Sequence, residues 1–263
     1  MNNIFNPVRF WLLLKKTVYE RPLQLAGFTL LPLFVVVVMY AFLKTVNGFE
    51  VAQTASFAIG LIGGGCFVAS LAFGYFSSKA MGYSYLMLPC SVFEKWLCGV
   101  LLVVLYLAVF LLFFRITDAL FITYFKQHLN PARANYKAVY NSVTLLLFDS
   151  GMGTSAIVMF LNFAGAVLVG SLYFNKAPFV KVALLIAGCW CAAFVLNLVI
   201  VKWLIPGAAN GVPYLHVWIN VGKDVARLDM PEQAEHLVKL FFTGVLPVIL
   251  WSTAFIRLKE KEF

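Results

Sequence analysis

Charge is what this sequence has least of. Asp, Glu, Lys and Arg make up 12% of its 263 residues, while 62% are hydrophobic; an ordinary soluble domain is about a quarter charged. A water-facing surface cannot be built from so few charges, which excludes a soluble globular fold. No Gly-x-x-x-x-Gly-Lys-Ser/Thr string occurs, and Gly63, Gly64 and Gly65 lie within an apolar run rather than after a strand. The chain therefore does not bind ATP through a phosphate loop. His128, His216 and His236 are far apart and lack metal-ligand spacing. The five cysteines, Cys66, Cys90, Cys98, Cys189 and Cys191, fall in or beside apolar runs, where packing is their expected role. Cys189 and Cys191 would point about 200° apart on a helix and cannot share a metal. The stretch Gly153 to Ala156 (GTSA) faintly resembles a serine-enzyme motif but has no basic partner on any apolar run. No catalytic residue, metal ligand or bound cofactor is expected.

A cleavable leader is also missing. Arg9, Lys15, Lys16 and Arg21 run through the first 23 residues, and no small-residue cleavage site follows a short apolar core. That pattern predicts a retained amino terminus.

What is present is a series of apolar runs near 20 residues long, enough to cross a hydrocarbon core of roughly 30 Å as a helix. The fold class expected is an all-α integral membrane protein with about six transmembrane helices behind an amphipathic interfacial helix. Residues 1–23 form that first helix, with Phe10 and Leu14 on one face, Trp11 and Val18 near it, and Arg9, Lys16 and Glu20 opposite. Pro22 interrupts it before the first span. The six spans, about 24–43, 54–76, 96–116, 152–174, 181–201 and 238–256, make one domain with a short tail at 257–263. Two long links, about 117–151 and 202–237, lie on the side away from the termini. In the later link, short surface helices punctuated by Pro213 and Pro231 are expected.

Lys and Arg number 20 against 11 Asp and Glu, for a formal charge of +9. They are scattered at span ends rather than clustered on one element, which argues for membrane-flanking charge and against nucleic acid. With the amino terminus inside, eleven of the 20 fall on the inner side and nine in the longer outer connections. That density bias favours both termini in the cytoplasm. None of Asp, Glu, Lys, Arg or His lies near the middle of a predicted span. Such charges cost about 2.5–3.5 kcal/mol each to insert and commonly mark proton relays or ion paths. Without them, energy for transport has to come from elsewhere.

Polar and small residues within the spans are few. Gly60 and Gly64, extended by Gly65 and Ala69, form a Gly-x-x-x-Gly pair that admits a close helix, either within the chain or at a subunit interface. Asn162 and Asn197 are amides in the fourth and fifth spans, there to bond a neighbouring helix or to line a substrate path. Ser91 and Glu94 have the S-x-x-E spacing of a capping box, and Pro89 just upstream fits a helix starting there.

Taken together, the layout resembles the membrane subunit of a bacterial ABC exporter of the type-two permease class. It shares an interfacial amino-terminal helix, six spans, a short link between spans two and three, and a long outer segment before the last span. Two strings add to the likeness: YLMLPCSVFEKWL at Tyr85 to Leu97, similar to the "LP-small-S-x-x-EK" link of many such permeases, and the ending AFIRLKEKEF at Ala254 to Phe263. The resemblance implies a bacterial inner-membrane protein that pairs with a second permease subunit, as a homodimer or heterodimer. It also implies a separate ATPase subunit that carries the ATP and Mg. Residues from about Met81 to Lys95, among them Tyr83, Tyr85, Pro89, Ser91 and Glu94, would be the ATPase-coupling contact; Glu94 and Lys95 are the charged pair singled out. The outer segment between spans five and six would form a lid. Competing readings are a substrate-binding membrane module of an energy-coupled importer, which is typically shorter and lacks the amphipathic start, and a non-transporting assembly or immunity factor. An intramembrane enzyme is disfavoured by the missing buried acid, base and metal ligands.

Overall fold

The structure, a computed structural model, describes residues 5–77, 79–129, 136–174, 177–204, 208–212, 216–221, 224–229 and 231–261. Pro213, and Glu262 and Phe263 of the terminal string, lie outside them. Six of its helices are long and apolar enough to cross a membrane, which makes the chain a multi-pass membrane protein with an all-α body.

Helix α1 (Pro7–Glu20) starts where the sequence provides a start: the Asn6 side chain accepts from the Val8 N–H at 3.0 Å, and Pro7 fills the first turn, where no N–H partner is needed. The chain bends at Arg21 (φ −138°, ψ 51°), and Pro22 opens α2 (Pro22–Val46). Helix α3 (Phe49–Ala72) follows a glycine in the left-handed region, Gly48 (φ 88°), which turns the chain back within two residues. A 3-10 turn (Gly74–Ser77) and α4 (Lys79–Leu86) lead to α5 (Val92–Gln127), then α6 (Tyr136–Ser142), α7 (Gly151–Tyr173) and α8 (Pro178–Leu204). The last span is α9 (Glu232–Leu240), a π turn (Phe241–Val245) and α10 (Leu246–Glu260), running on as one helix.

Helix α3 is the centre of the bundle and packs against α2, α5 and α7. In lipid no hydrophobic force pulls apolar helices together, so close approach and dispersion have to do it. The glycines supply that approach. A Cβ on Gly60 would run into the Val36 side chain of α2, one on Gly64 into the Tyr106 hydroxyl of α5, and one on Gly65 into the Phe160 ring of α7. The Gly-x-x-x-Gly pair is thus used inside the chain. Tyr106 lies in the resulting groove and donates its hydroxyl to the Gly60 carbonyl at 2.9 Å.

Two expectations need correcting. Helix α5 has 36 residues and runs eleven residues past the expected end of span three at Ile116. At about 1.5 Å per residue it is roughly 54 Å long, well beyond a membrane's hydrocarbon core. The expected boundary falls one residue past Arg115, but charge ends a membrane span, not a helix, and no Gly or Pro lies between Gly99 and Pro131 to break this one. Residues 117–127 are therefore helix, and Asp118 joins a helix interior. Between α8 and α9 the chain forms strands, where surface helices were expected: β1 (Ala208–Val212), β2 (His216–Val221) and β3 (Asp224–Asp229) make an antiparallel sheet in the order β1-β2-β3. The β2 sequence HVWINV is rich in β-branched and aromatic residues, which fit a pleated surface better than a helix. Glu232, just after Pro231, then begins the helix that continues into the last span.

The π turn has a visible cause. Pro247 has no N–H, and the Leu246 N–H reaches back to the Phe241 carbonyl, leaving the Phe242 carbonyl without a donor from its own helix. The Asn162 side chain of α7 fills the gap, donating from Nδ2 at 2.8 Å. Asn162 is thus a helix-to-helix bond made where a proline has stripped the backbone of a partner.

Candidate coupling site

Both chain ends lie at one end of the bundle: near the carboxyl terminus Lys261 rests over the Phe76 ring (4.5 Å) and Arg257 over Tyr173 (4.4 Å), while at the amino terminus Arg9 reaches Glu94. Here the α4 link joins span two to span three. The capping box read from the sequence is complete: the Ser91 hydroxyl accepts from the Glu94 N–H (3.2 Å), and the Glu94 carboxylate accepts from the Ser91 N–H (2.9 Å). The carboxylate does more than cap. It also accepts from the Asn6 N–H (2.7 Å) and the Arg9 guanidinium (3.1 Å), so α1 is tied to the start of α5 through one oxygen. Glu94 is fully buried, and its charge is matched by these donors. Lys95, also buried, extends its ammonium to the Leu86 carbonyl (2.9 Å) and so holds the last turn of α4.

Aromatic stacking fixes the rest of the link. Tyr85 of α4 stacks on Tyr75 (4.5 Å, 11°), the Arg21 guanidinium lies over the same Tyr75 ring (4.2 Å), and the Tyr75 hydroxyl donates to Glu20 (3.1 Å). Burial, aided by the nearby Glu20 carboxylate, pushes the Tyr75 phenol up to about 12. The Cys90 thiol is raised by burial and the Glu94 charge. Burial lowers the Lys261 ammonium.

The link thus has an inner and an outer side. Tyr85, Glu94 and Lys95 face the protein, with Ser91 partly covered; Met81 (43% exposed), Tyr83 (66%), Met87 (85%) and Pro89 face away from it. In α1, Leu13 and Thr17 are buried, and Phe10 and Leu14 pack on the core. Trp11, Leu12 and Val18 are exposed. Lys16 pairs with Glu20 at 3.4 Å on the surface, a contact of little energetic weight. Asn197 lies on α8, its Nδ2 enclosed and without a hydrogen-bond partner among the described residues. Gly60, Gly64 and Asn162 lie in the bundle, away from the link.

A second buried polar cluster occupies the opposite end. Asp118, 1% exposed, accepts from the Tyr40 hydroxyl (2.7 Å), from Gln53 Nε2 at both oxygens (2.9 and 2.8 Å) and from the Leu146 N–H (3.0 Å). Gln53 also donates to the Thr144 carbonyl (3.1 Å), and Arg115 to the Leu146 carbonyl (2.9 Å). Phe148 stacks on Phe57 (5.4 Å, 17°). Together these groups clasp the extended segment 143–147 before it enters α7, supplying side-chain partners to a backbone that has no ladder of its own. With its donors in place, Asp118 serves as an anchor and has little capacity left for a metal. Asp118 falls beyond the expected end of span three at Ile116, in what was read as a link; the structure places it in the far part of α5, buried. Among the described residues no group of His, Cys, Asp and Glu has metal-site geometry. Comparison with protein-family models, with curated proteins and with solved structures gives no match.

Proposed function

We propose that this chain is the permease subunit of an ATP-driven exporter of the ABC type-two class, residing in a bacterial inner membrane with both termini in the cytoplasm. It pairs with a second permease subunit, identical or related, and a separate ATPase supplies the energy with its own ATP and Mg. The observation that carries this reading is the two-sided α4 link. Its outer side presents Met81, Tyr83, Met87 and Pro89, an apolar patch on a short element beyond the spans, while its inner side is bonded to α1 and α5. A patch of that kind suits a docking partner, and a link bonded to α1 and α5 would pass a displacement on to the spans. In this scheme Glu94 and Lys95 position the link, and the exposed residues make the contact.

Affinity purification of the tagged chain from native membranes, followed by mass spectrometry, tests the reading. A stoichiometric ATPase that is lost in a Tyr83→Ala, Met87→Glu variant is the expected result. Recovery of the chain alone, or only with itself, across several mild detergents would overturn it and favour a ligand-binding module.

A further inference from the structure

At the end carrying the termini, a cavity of about 250 Å3 lies between the starts of α2 and α8 and the ends of α3 and α7. Its walls include Arg21, Gln24, Phe28, Ser70, Ser171 and Phe174. Helix α2 packs on α3, and α8 on α7, an arrangement that would leave the gap between α2 and α8 open to the surrounding bilayer. Phe28, Phe67 and Phe179 bridge it with rings 5.8 and 4.6 Å apart.

The polar lining is matched to an anion. Arg21 donates to the Met81 thioether (3.2 Å), a weak acceptor, and lies on the Tyr75 ring; among the described residues no carboxylate pairs with it. Glu20, its neighbour in sequence, gives its carboxylate to Tyr75 and Lys16 instead. On the α8 side Lys181 lies over Phe174 (5.3 Å), a ring of the cavity wall, with no carboxylate partner among the described residues, so Arg21 lines the cavity and a second cation stands one ring behind its wall. The Ser70 and Ser171 hydroxyls donate to backbone carbonyls at 2.7 Å, which leaves their lone pairs to accept.

From this geometry we infer that the cavity binds the phosphate headgroup of a membrane amphiphile, with its acyl chains lying outside between α2 and α8. The volume falls below the usual 300–1,000 Å3 of a site that encloses a whole ligand. It is enough for a phosphate and its substituent and too small for the tails. Exposed Leu31 and Phe34 of α2 and Leu184 and Leu185 of α8 provide the apolar flanks the tails would follow. The guanidinium donors and Gln24 take the phosphate oxygens, and the serines accept from a hydroxyl or ammonium of the headgroup. As an assignment of substrate class this rests on the exporter reading; as a binding site it does not.

The test is lipid binding by the purified full chain, with no nucleotide or partner. The chain is assembled in nanodiscs of equimolar phosphatidylcholine and phosphatidylglycerol, and retained lipid is read by native mass spectrometry. Retention of phosphatidylglycerol over phosphatidylcholine is expected, falling about tenfold in Arg21→Gln and unchanged in Lys259→Gln, which removes an exposed cation at the same end. If Arg21→Gln does not assemble, Lys181→Gln is read in its place, with the same direction of change. No preference, or a preference lost equally in Lys259→Gln, overturns the site. Displacement of the lipid by excess inorganic phosphate as readily as by added phosphatidylglycerol overturns the amphiphile and leaves a free-anion site. Failure here leaves the exporter reading standing, since capture of an ATPase tests that separately.

Discussion

The Asp118 carboxylate and the Leu146 amide, 28 positions apart, meet at 3.0 Å and close the far end of the bundle. Asp118→Asn keeps the shape but replaces one acceptor oxygen with an NH2 group, turning a donor toward the donors Tyr40, Gln53 and Leu146. A loss of about 1–3 kcal/mol is expected, larger than for Tyr40→Phe, which removes one donor. Thermal unfolding of the detergent-purified variants ranks the two; equal stability of Asp118→Asn and the parent would refute the anchor.

Glu94 serves Asn6, Arg9 and Ser91 at once, so its removal frees α1 as well as the start of α5. Glu94→Ala is expected to cost about 2 kcal/mol or more and to open the α1 segment to protease. Arg9→Ala, removing one partner of several, has a smaller effect. Proteolysis followed by mass mapping checks the order.

The glycines of α3 separate sharply. Gly64→Ala, and more so Gly64→Val, would drive a side chain into Tyr106 and Pro32, costing about 1–3 kcal/mol or preventing assembly. Gly63→Ala meets nothing within 4 Å and is expected to be tolerated. Yield of monodisperse protein after size exclusion distinguishes the two.

Asn162→Leu leaves the Phe242 carbonyl without its donor in the interior of a span. A loss of about 0.6–2 kcal/mol is expected. Pro247→Ala, by restoring a backbone N–H, should offset part of that loss in the double variant; additive behaviour would argue against the link between the proline and the amide.

Tyr75 carries a pH signature. Its phenol is raised in the folded state, so the neutral form is the one the fold favours; that contribution is complete below the usual value of 10.0 and is lost as pH rises toward about 12. An ultraviolet titration of the parent minus Tyr75→Phe should show one phenol ionising about two units late. A difference curve centred near 10 would contradict the buried placement.

The sequence made the spans legible because each is a long apolar run, and it made the capping box legible because Ser91 and Glu94 satisfy each other locally. Gly60 and Gly64 were readable as a close-packing face, though not which helix would fill it, since that depends on where Val36 and Tyr106 arrive. Asp118 was hidden for a different reason: its partners come from α2, α3 and the segment after α6, and nothing local distinguishes it from a loop carboxylate. Glu94 was half visible. Its cap is a short-range pattern, while its bonds to Asn6 and Arg9 span more than 80 residues. The β-sheet was missed because a segment punctuated by proline was read by its breaks and not by the alternation within β2.

Helix α5 carries Glu94 and Lys95 at one extremity and Arg115 and Asp118 toward the other. Glu94 and Asp118 are 24 residues apart, about 36 Å along the axis, so each degree of tilt about one moves the other by about 0.6 Å. A rod this long, gripped near both ends by buried charges, could act as a lever: a tilt of a few degrees at the α4 link would reach the clasp on segment 143–147 as a displacement of hydrogen-bond size.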